Sequence, residues 1–304
     1  MTDATLSTIS VYPVKALDGL SLDAAALGPD GGLVPDRVVA LTDADGDYVN
    51  GKNERAIHRV TADYDPAAGT ARLTPPPAAD APTDTVPAPA TFTVPGLAAA
   101  VGDTADDSAG DGVETDTTDW DDPVGGPDAL ADWVADYVGY AVTAEVTKPS
   151  YPDDTVASGP TLVSRATLAT VADWFDHTLH ETRRRFRPNL VVDGDLPAFW
   201  EDRLYGDCSE CVRFRLGAAT LDGVGPCRRC VVPARDPDTG RETEGFTERF
   251  VDQREATLPE WSAGPRFDGA FKLTLNTRMP TASRGETLRV GDPLCVEGSV
   301  PAEQ

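Results

Sequence analysis

Hydrophobic residues along the chain fall mostly in short runs, many of which alternate with polar residues. Nine runs are rich in Val, Thr and Leu and are bounded by Gly, Pro or Asp, which is typical of β-strands. They span residues 5–14, 36–43, 71–75, 90–96, 140–147, 189–194, 211–217, 271–277 and 287–298. Many short strands with this punctuation predict β-barrels or β-sandwiches.

Two longer segments have the periodicity of amphipathic helices. In residues 127–140 one face is apolar and Gly139 is placed to end the helix. The predicted buried face comprises Leu130, Trp133, Val134, Tyr137 and Val138. In residues 164–179 Ser164 can cap the helix, and the predicted buried stripe comprises Leu168, Val171, Ala172, Phe175 and Leu179.

The organisation of the chain is interrupted between residues 75 and 126, which are rich in Pro, Ala, Asp and Thr and have little apolar periodicity. This stretch predicts long polar loops around one or two strands. We therefore predict a mainly β, α+β protein with two β-rich lobes joined through a helix at 128–138. The predicted domains are residues 1–125 and 126–304.

The charge is strongly negative: 51 acidic residues against 26 basic ones give a net charge of −25. Such a field repels phosphate backbones, which argues against nucleic-acid binding. The acidic residues are spread along the chain, as on a surface solvated for a high-salt cytoplasm. The N-terminus does not read as a secretory signal, and no run approaches the ~18 apolar residues that a membrane helix needs. We therefore expect a cytoplasmic protein without a membrane partner.

Four of the five cysteines form two CxxC pairs. Their spacing fits a zinc site with four ligands, Cys208, Cys211, Cys227 and Cys230. Arg228 and Arg229 lie inside the second pair and would favour a thiolate, which suits either a metal ligand or a single reactive thiol. Four buried, inert cysteines are the third interpretation. The spacing alone leaves these three alternatives open.

Three cationic residues stand out in a chain with only four lysines. Lys15 directly follows the first predicted strand, and Arg37 lies at the entry of another. Arg187 precedes Pro188 and Asn189 at a strand entry, where a guanidinium and an amide could bind one oxyanion together. These residues are candidate anion ligands.

The order of these motifs carries a resemblance to a known family. "YPVK" with Lys15, "DR" with Arg37, "FRPN" at 186–189 and "CRRC" followed by "DPDTG" resemble the MOSC superfamily. They are most similar to the branch with an N-terminal MOSC β-barrel domain, which includes the mitochondrial amidoxime-reducing component and its bacterial relatives. The resemblance runs from residue 5 to 298 and implies a MOSC β-barrel preceded by a smaller β-barrel-like domain. Together with the acidity, it suggests a halophile.

The resemblance implies a molybdenum cofactor. Cys230 matches the molybdenum ligand and is the predicted catalytic residue. The residues expected to hold the pterin and its phosphate are Lys15, Arg37, Arg187 and Asn189, with Ser158 and Arg228 as further candidates. The chain departs from the family at Ala16, where serine is common, and in residues 205–211, which resemble an insertion that gives Cys208 and Cys211 no family role.

The predicted function is therefore reduction of N-hydroxylated or related N-oxygenated small substrates. The partners are the small-molecule substrate and a separate electron-transfer protein. The alternatives are a cofactor carrier or sulfur-handling module without turnover, and a zinc-binding protein that uses the four clustered cysteines.

Overall fold

The computed structural model describes residues 3–100, 117, 119–146, 157–206, 209–258 and 269–302. The first strands and helix are β1 (Ala4–Val11), β2 (Leu20–Leu22), β3 (Ala24–Ala26), β4 (Val39–Asp43), β5 (Thr61–Asp65), β6 (Thr70–Thr74), β7 (Ala90–Thr93), α1 (Pro127–Val138) and β8 (Val142–Val146). They are followed by β9 (Leu162–Ser164), α2 (Arg165–Phe175), α3 (Leu179–Phe186), β10 (Leu190–Gly194), β11 (Glu210–Leu216), β12 (Ala219–Arg228), α4 (Phe246–Thr257), β13 (Lys272–Arg278), β14 (Thr287–Arg289) and β15 (Leu294–Pro301). Short 3-10 helices include Arg55–Arg59, Trp200–Leu204 and Val232–Ala234.

The predicted β-rich fold with a few helices is confirmed. The largest sheet has the strand order β15-β11-β12-β13-β9-β10-β1-β2, and every pair in it is antiparallel except β9 with β10. Smaller sheets pair β14 with β3, β4 with β8, and β5–β6–β7 in sequence. Within the described ranges no sheet closes into a complete barrel, although a bridge between Thr5 and Pro293 draws β1 toward β15. None of the helices in these ranges is both long and apolar enough to cross a membrane.

The two largest hydrophobic clusters of the described residues define two lobes. The first lobe is built on β4 to β8 and α1, and the second on the large sheet. β1 and β3 bury Leu6, Ile9, Val11 and Ala25 in the core of the second lobe, although they begin the chain. The chain therefore crosses from the second lobe into the first after β1, and this crossing carries Lys15.

Helix α1 forms as its periodicity predicts. All five residues of the predicted face are buried, and Gly139 ends the helix with a left-handed φ of 84°. Apolar residues of α1 pack in the same core as those of β4 to β8. The predicted division after residue 125 falls just before this helix, whereas the packing keeps α1 and β8 with the first lobe.

The second predicted helix is two helices, and the single helix predicted over 164–179 is therefore wrong. Ser164 caps α2 as predicted, by accepting a hydrogen bond from the Thr167 N–H. Asp176 then ends α2 with a left-handed φ of 56°, and the side chain of Thr178 caps the start of α3. This break leaves Phe175 and Leu179 only half-buried. It also turns α3 so that its last, arginine-rich turn reaches the boundary between the lobes.

Candidate functional site

A cavity of about 640 Å³ lies between the two lobes. Its wall is formed by the crossing segment after β1, by Arg37, by the 50–64 region of the first lobe, and by the second-lobe segments at 180–187 and 229–238. Four of the predicted site residues lie in its wall: Lys15, Arg37, Arg187 and Cys230. These residues are far apart in sequence, and the fold brings them around one cavity.

Lys15 is held at the point where the chain enters the first lobe. Its backbone N–H donates to the Val39 carbonyl over 2.8 Å, which attaches the crossing segment to β4. Its ammonium lies 4.0 Å from the centroid of the Tyr48 ring, a distance typical of a cation–π contact. The next residue, Ala16, turns the chain with a φ of 80°.

Tyr12 brings the two predicted arginines together. The Cζ atom of Arg187 lies 3.9 Å from the centroid of the Tyr12 ring, and that of Arg37 lies 5.2 Å from it. The Tyr12 hydroxyl donates to the Pro188 carbonyl over 3.3 Å. Burial raises the pKa of Tyr12 despite both arginines, so the phenol stays neutral. Arg37 also pairs with Asp36, which leaves the cluster with a net positive charge.

The segment after Cys230 is fixed from α3. The Nη1 atom of Arg185 donates to the carbonyls of Pro233 over 3.1 Å and of Arg235 over 2.7 Å. Glu181 braces the same guanidinium from one helical turn earlier, at 2.8 Å. Cys230 itself is an exposed free cysteine in the cavity wall. The segment is therefore rigidly held while its thiol stays accessible.

The predicted turn at "DPDTG" forms and attaches this segment to the first lobe. The Asp236 carboxylate accepts hydrogen bonds from the backbone N–H groups of Asp238 and Thr239. Burial opposes ionisation of Asp236, but the hydrogen bond from the Thr239 hydroxyl, together with these two from the backbone, outweighs it and lowers the pKa of Asp236. A Cβ atom at Gly240, whose φ is 66°, would lie 2.5 Å from the Arg55 carbonyl oxygen. The turn therefore packs closely against the 3-10 helix of the first lobe.

Arg229 and Arg235 also line the cavity, although the sequence interpretation did not select them. Arg229 donates from Nη1 to the Cys227 sulfur over 3.2 Å and from Nη2 to the Phe186 carbonyl over 2.5 Å. Arg235 is buried and donates to the Gly51 carbonyl across the lobe boundary. Arg228, which was selected, is exposed and is not among the described lining residues. Residue order alone did not reveal which arginine of "CRRC" faces the cavity.

Asn189 and Ser158 also lie away from the cavity wall that the structure describes. The Asn189 side chain donates to the Ser10 carbonyl over 3.1 Å and accepts from Thr161, which ties β1 to the entries of β9 and β10. The Ser158 hydroxyl abuts Gly31, where an added Cβ would lie 2.9 Å from it. Direct cofactor contacts from Asn189, Ser158 and Arg228 stay predictions.

The three described cysteines of the proposed zinc site do not support a shared four-cysteine site. Cys208 lies outside the described residues. Cys211 is buried on β11, whereas Cys227 is half-buried and Cys230 is exposed. Across the described ranges, no three His, Cys, Asp or Glu side chains gather as a shared metal site requires.

The wall of the cavity fits an anionic ligand that carries a thiol-binding metal. In a chain of net charge −25, the lining includes Lys15, Arg37, Arg187 and Arg229. The Nε–H group of Arg229 is buried without a hydrogen-bond partner in the described structure. Buried N–H groups are rarely left without an acceptor, so a ligand with acceptor oxygens suits this arginine. Cys230 adds a soft sulfur donor to the same wall.

Comparison with protein families identifies the fold of both halves. Residues 3–141 match the MOSC N-terminal beta barrel domain, and residues 159–294 match the MOSC domain. The chain belongs to the MOSC superfamily. MOSC domains are associated with binding of the molybdenum cofactor, and the residues of this cavity fit such a group.

Two further comparisons add little to this MOSC assignment. No curated protein matches the chain at a significant level. Among solved structures, the chain is similar to the YuaD protein from Bacillus subtilis at 14% identity, with a TM-score of 0.23. That similarity covers 48% of this chain and 64% of the YuaD chain.

Proposed function

We propose that this MOSC protein binds the molybdenum cofactor between its lobes and reduces N-hydroxylated or related N-oxygenated small molecules. The observation that carries the proposal is Cys230, an accessible thiol in a cavity wall that also contains Lys15, Arg37 and Arg187. A thiolate suits molybdenum, and the cations suit the phosphate of the pterin. Cys230 would ligate the metal, and the three cations would hold the phosphate-bearing part.

When bound, the cofactor supplies two-electron chemistry, so that R–NHOH, two electrons and two protons become R–NH₂ and water. The electrons come from a separate electron-transfer protein, and the reaction takes place in the cytoplasm. The chain itself contributes position and charge. Tyr12 keeps Arg37 and Arg187 together, and Arg185 fixes the segment that presents Cys230. Such fixed groups bind an anion without further ordering cost.

The proposal is tested by comparing Cys230→Ala with Cys227→Ala, both produced in a host that makes the cofactor. We expect Cys230→Ala to lose molybdenum and the reduction of benzamidoxime to benzamidine by reduced methyl viologen. Cys227→Ala should retain more molybdenum and more activity, because Cys227 is not among the described residues that line the cavity. Its sulfur accepts a hydrogen bond from Arg229. Molybdenum and pterin per chain are measured together with turnover.

The outcomes distinguish the alternatives. Full molybdenum and pterin content without turnover of any N-oxygenated substrate would identify a cofactor carrier or sulfur-handling module instead of a reductase. Equal loss from both variants, with zinc released in each, would overturn the molybdenum assignment and favour a four-cysteine site.

A further inference from the structure

Arg235 is a buried cation that forms no ion pair within the described residues, where Glu242 and Glu54 act on it only at longer range. The residue is 6% exposed and lies in the cavity wall. Its Nη1 donates to the Gly51 carbonyl, whereas its Nε–H is buried without a hydrogen-bond partner in the described structure. A buried charge is costly unless an anion pairs with it. The missing anion is therefore expected on a ligand.

The charges around Arg235 differ from those around Tyr12. The positive charges of Arg187, Arg37 and Arg183, in decreasing order, act to lower the pKa of Tyr12. Burial lowers the pKa of Arg235, as does the charge of Arg55, whereas Glu242 and Cys230 oppose this shift. Arg235 is therefore not among the cations that act on Tyr12, and it lies within electrostatic reach of Cys230.

Arg235 is also held firmly in place. Arg185 binds its carbonyl over 2.7 Å, and its own N–H donates to the Val232 carbonyl over 2.9 Å. Gly51 belongs to the first lobe, so the second lobe holds the Arg235 backbone while the first lobe holds its guanidinium. A guanidinium fixed in this way can bind a carboxylate with little loss of conformational entropy.

We propose that Arg235 binds an anionic group of the substrate, a carboxylate or comparable oxyanion, beside Cys230. The cavity thereby selects N-oxygenated substrates that carry a negative charge. Selectivity among substrates rests on the proposed function, whereas binding of the anion to Arg235 can be measured without turnover. Arg235 is in this respect a specificity-determining residue, distinct from the cations assigned to the cofactor.

The experiment compares benzamidoxime with 4-carboxybenzamidoxime, which differ by one carboxylate. We expect wild-type holoprotein to prefer the carboxylated substrate in kcat/KM, and Arg235→Gln to lose about 10- to 100-fold on it, the worth of one charge-assisted hydrogen bond. Benzamidoxime turnover and molybdenum and pterin content should stay within about twofold, well below that loss. Arg235→Lys keeps a charge and a donor for Gly51, and should retain part of the preference.

Arg241→Gln is the matched control, because Arg241 is exposed in the same loop and does not line the cavity. Equal losses on both substrates in Arg235→Gln, or loss of pterin from it, would overturn the assignment. Calorimetric titration of both compounds without reductant tests the anion site even if turnover is absent. Tighter binding of the carboxylated compound by wild type but not by Arg235→Gln supports the site, and equal binding by both proteins overturns it.

Discussion

Replacing Glu201 by Gln should stabilise the protein at neutral pH. Glu201 lies in the 3-10 helix Trp200–Leu204 and is 2% exposed. Its carboxylate accepts a hydrogen bond from the Thr167 hydroxyl over 3.0 Å. Burial, and then the charge of Asp202, raise the pKa of Glu201 from 4.5 to about 7, although the hydrogen bonds oppose this. Arg254 pairs with Asp202, so Glu201 has no such cation of its own among the described ion pairs.

The sign of the effect follows from where the proton is held more tightly. Well below pH 4.5 both the folded and the unfolded chain carry the proton on Glu201. As the pH rises toward 7, the unfolded chain loses it first, so the free energy of unfolding falls. Above 7 the loss is complete, at about 3 kcal/mol, because each pH unit corresponds to about 1.4 kcal/mol. Gln stays neutral and avoids this loss.

The assay is urea unfolding of wild type and Glu201→Gln between pH 5 and 8 at one salt concentration, followed by tryptophan fluorescence. The stability difference should grow with pH and reach about 3 kcal/mol in favour of the variant at pH 8. Glu244→Gln is the control, since Glu244 is exposed in a loop. A difference that stays the same at pH 5 and pH 8 would refute the reasoning.

Two further predictions concern the cavity and the contact between the lobes. Arg187→Ala should weaken pterin binding by about 10- to 100-fold, so that less pterin stays with the protein after gel filtration. The exposed control Arg215→Ala should keep its pterin, and equal retention by the two variants would show that Arg187 does not hold the cofactor. Gly240→Ala should lower the free energy of unfolding by more than the ~1–2 kcal/mol of left-handed strain alone, because its Cβ would meet the Arg55 carbonyl. Gly245→Ala is the control, because Gly245 has a matching φ of 67° and no heavy atom lies within 4 Å of an added Cβ there. An equal loss of unfolding free energy in the two variants, measured by urea unfolding, would show that the Arg55 contact has no effect.

The hydrophobic pattern of the sequence correctly predicted elements in which one continuous face is buried. Helix α1 has an uninterrupted apolar stripe and a terminal Gly139, and it forms as predicted. The break after α2 was missed because Asp176 adopts a left-handed conformation that only its surroundings impose. Strand β12 was missed because glycines and a proline interrupt its apolar pattern. Its pairing with both β11 and β13 compensates for that weak local preference.

The site was predictable where a motif coincided with the cavity wall. Lys15, Arg37 and Arg187 were selected as scarce cations at strand ends, whereas Cys230 was selected through the resemblance to the MOSC superfamily, and all four line the cavity. Arg235 was not selected, because the turn motif beside it accounted for the local sequence. Its burial depends on Gly51, a residue from the other lobe, and a contact across 184 positions leaves no local pattern.

Left-handed backbone conformations are found at several residues of the cavity wall. Ala16, Arg37 and Arg187 line the cavity with φ values of 80°, 54° and 50°. This left-handed conformation costs roughly 1–2 kcal/mol for a residue with a Cβ atom. Glycine would relieve the cost, but at the two arginines it would also remove the guanidinium. Hydrogen bonds from the Arg37 N–H to the Tyr12 carbonyl and from the Arg187 N–H to the Arg183 carbonyl hold both conformations. Left-handed strain and clustered positive charge both oppose folding at this cavity, and a ligand that bound only the folded state would offset that cost.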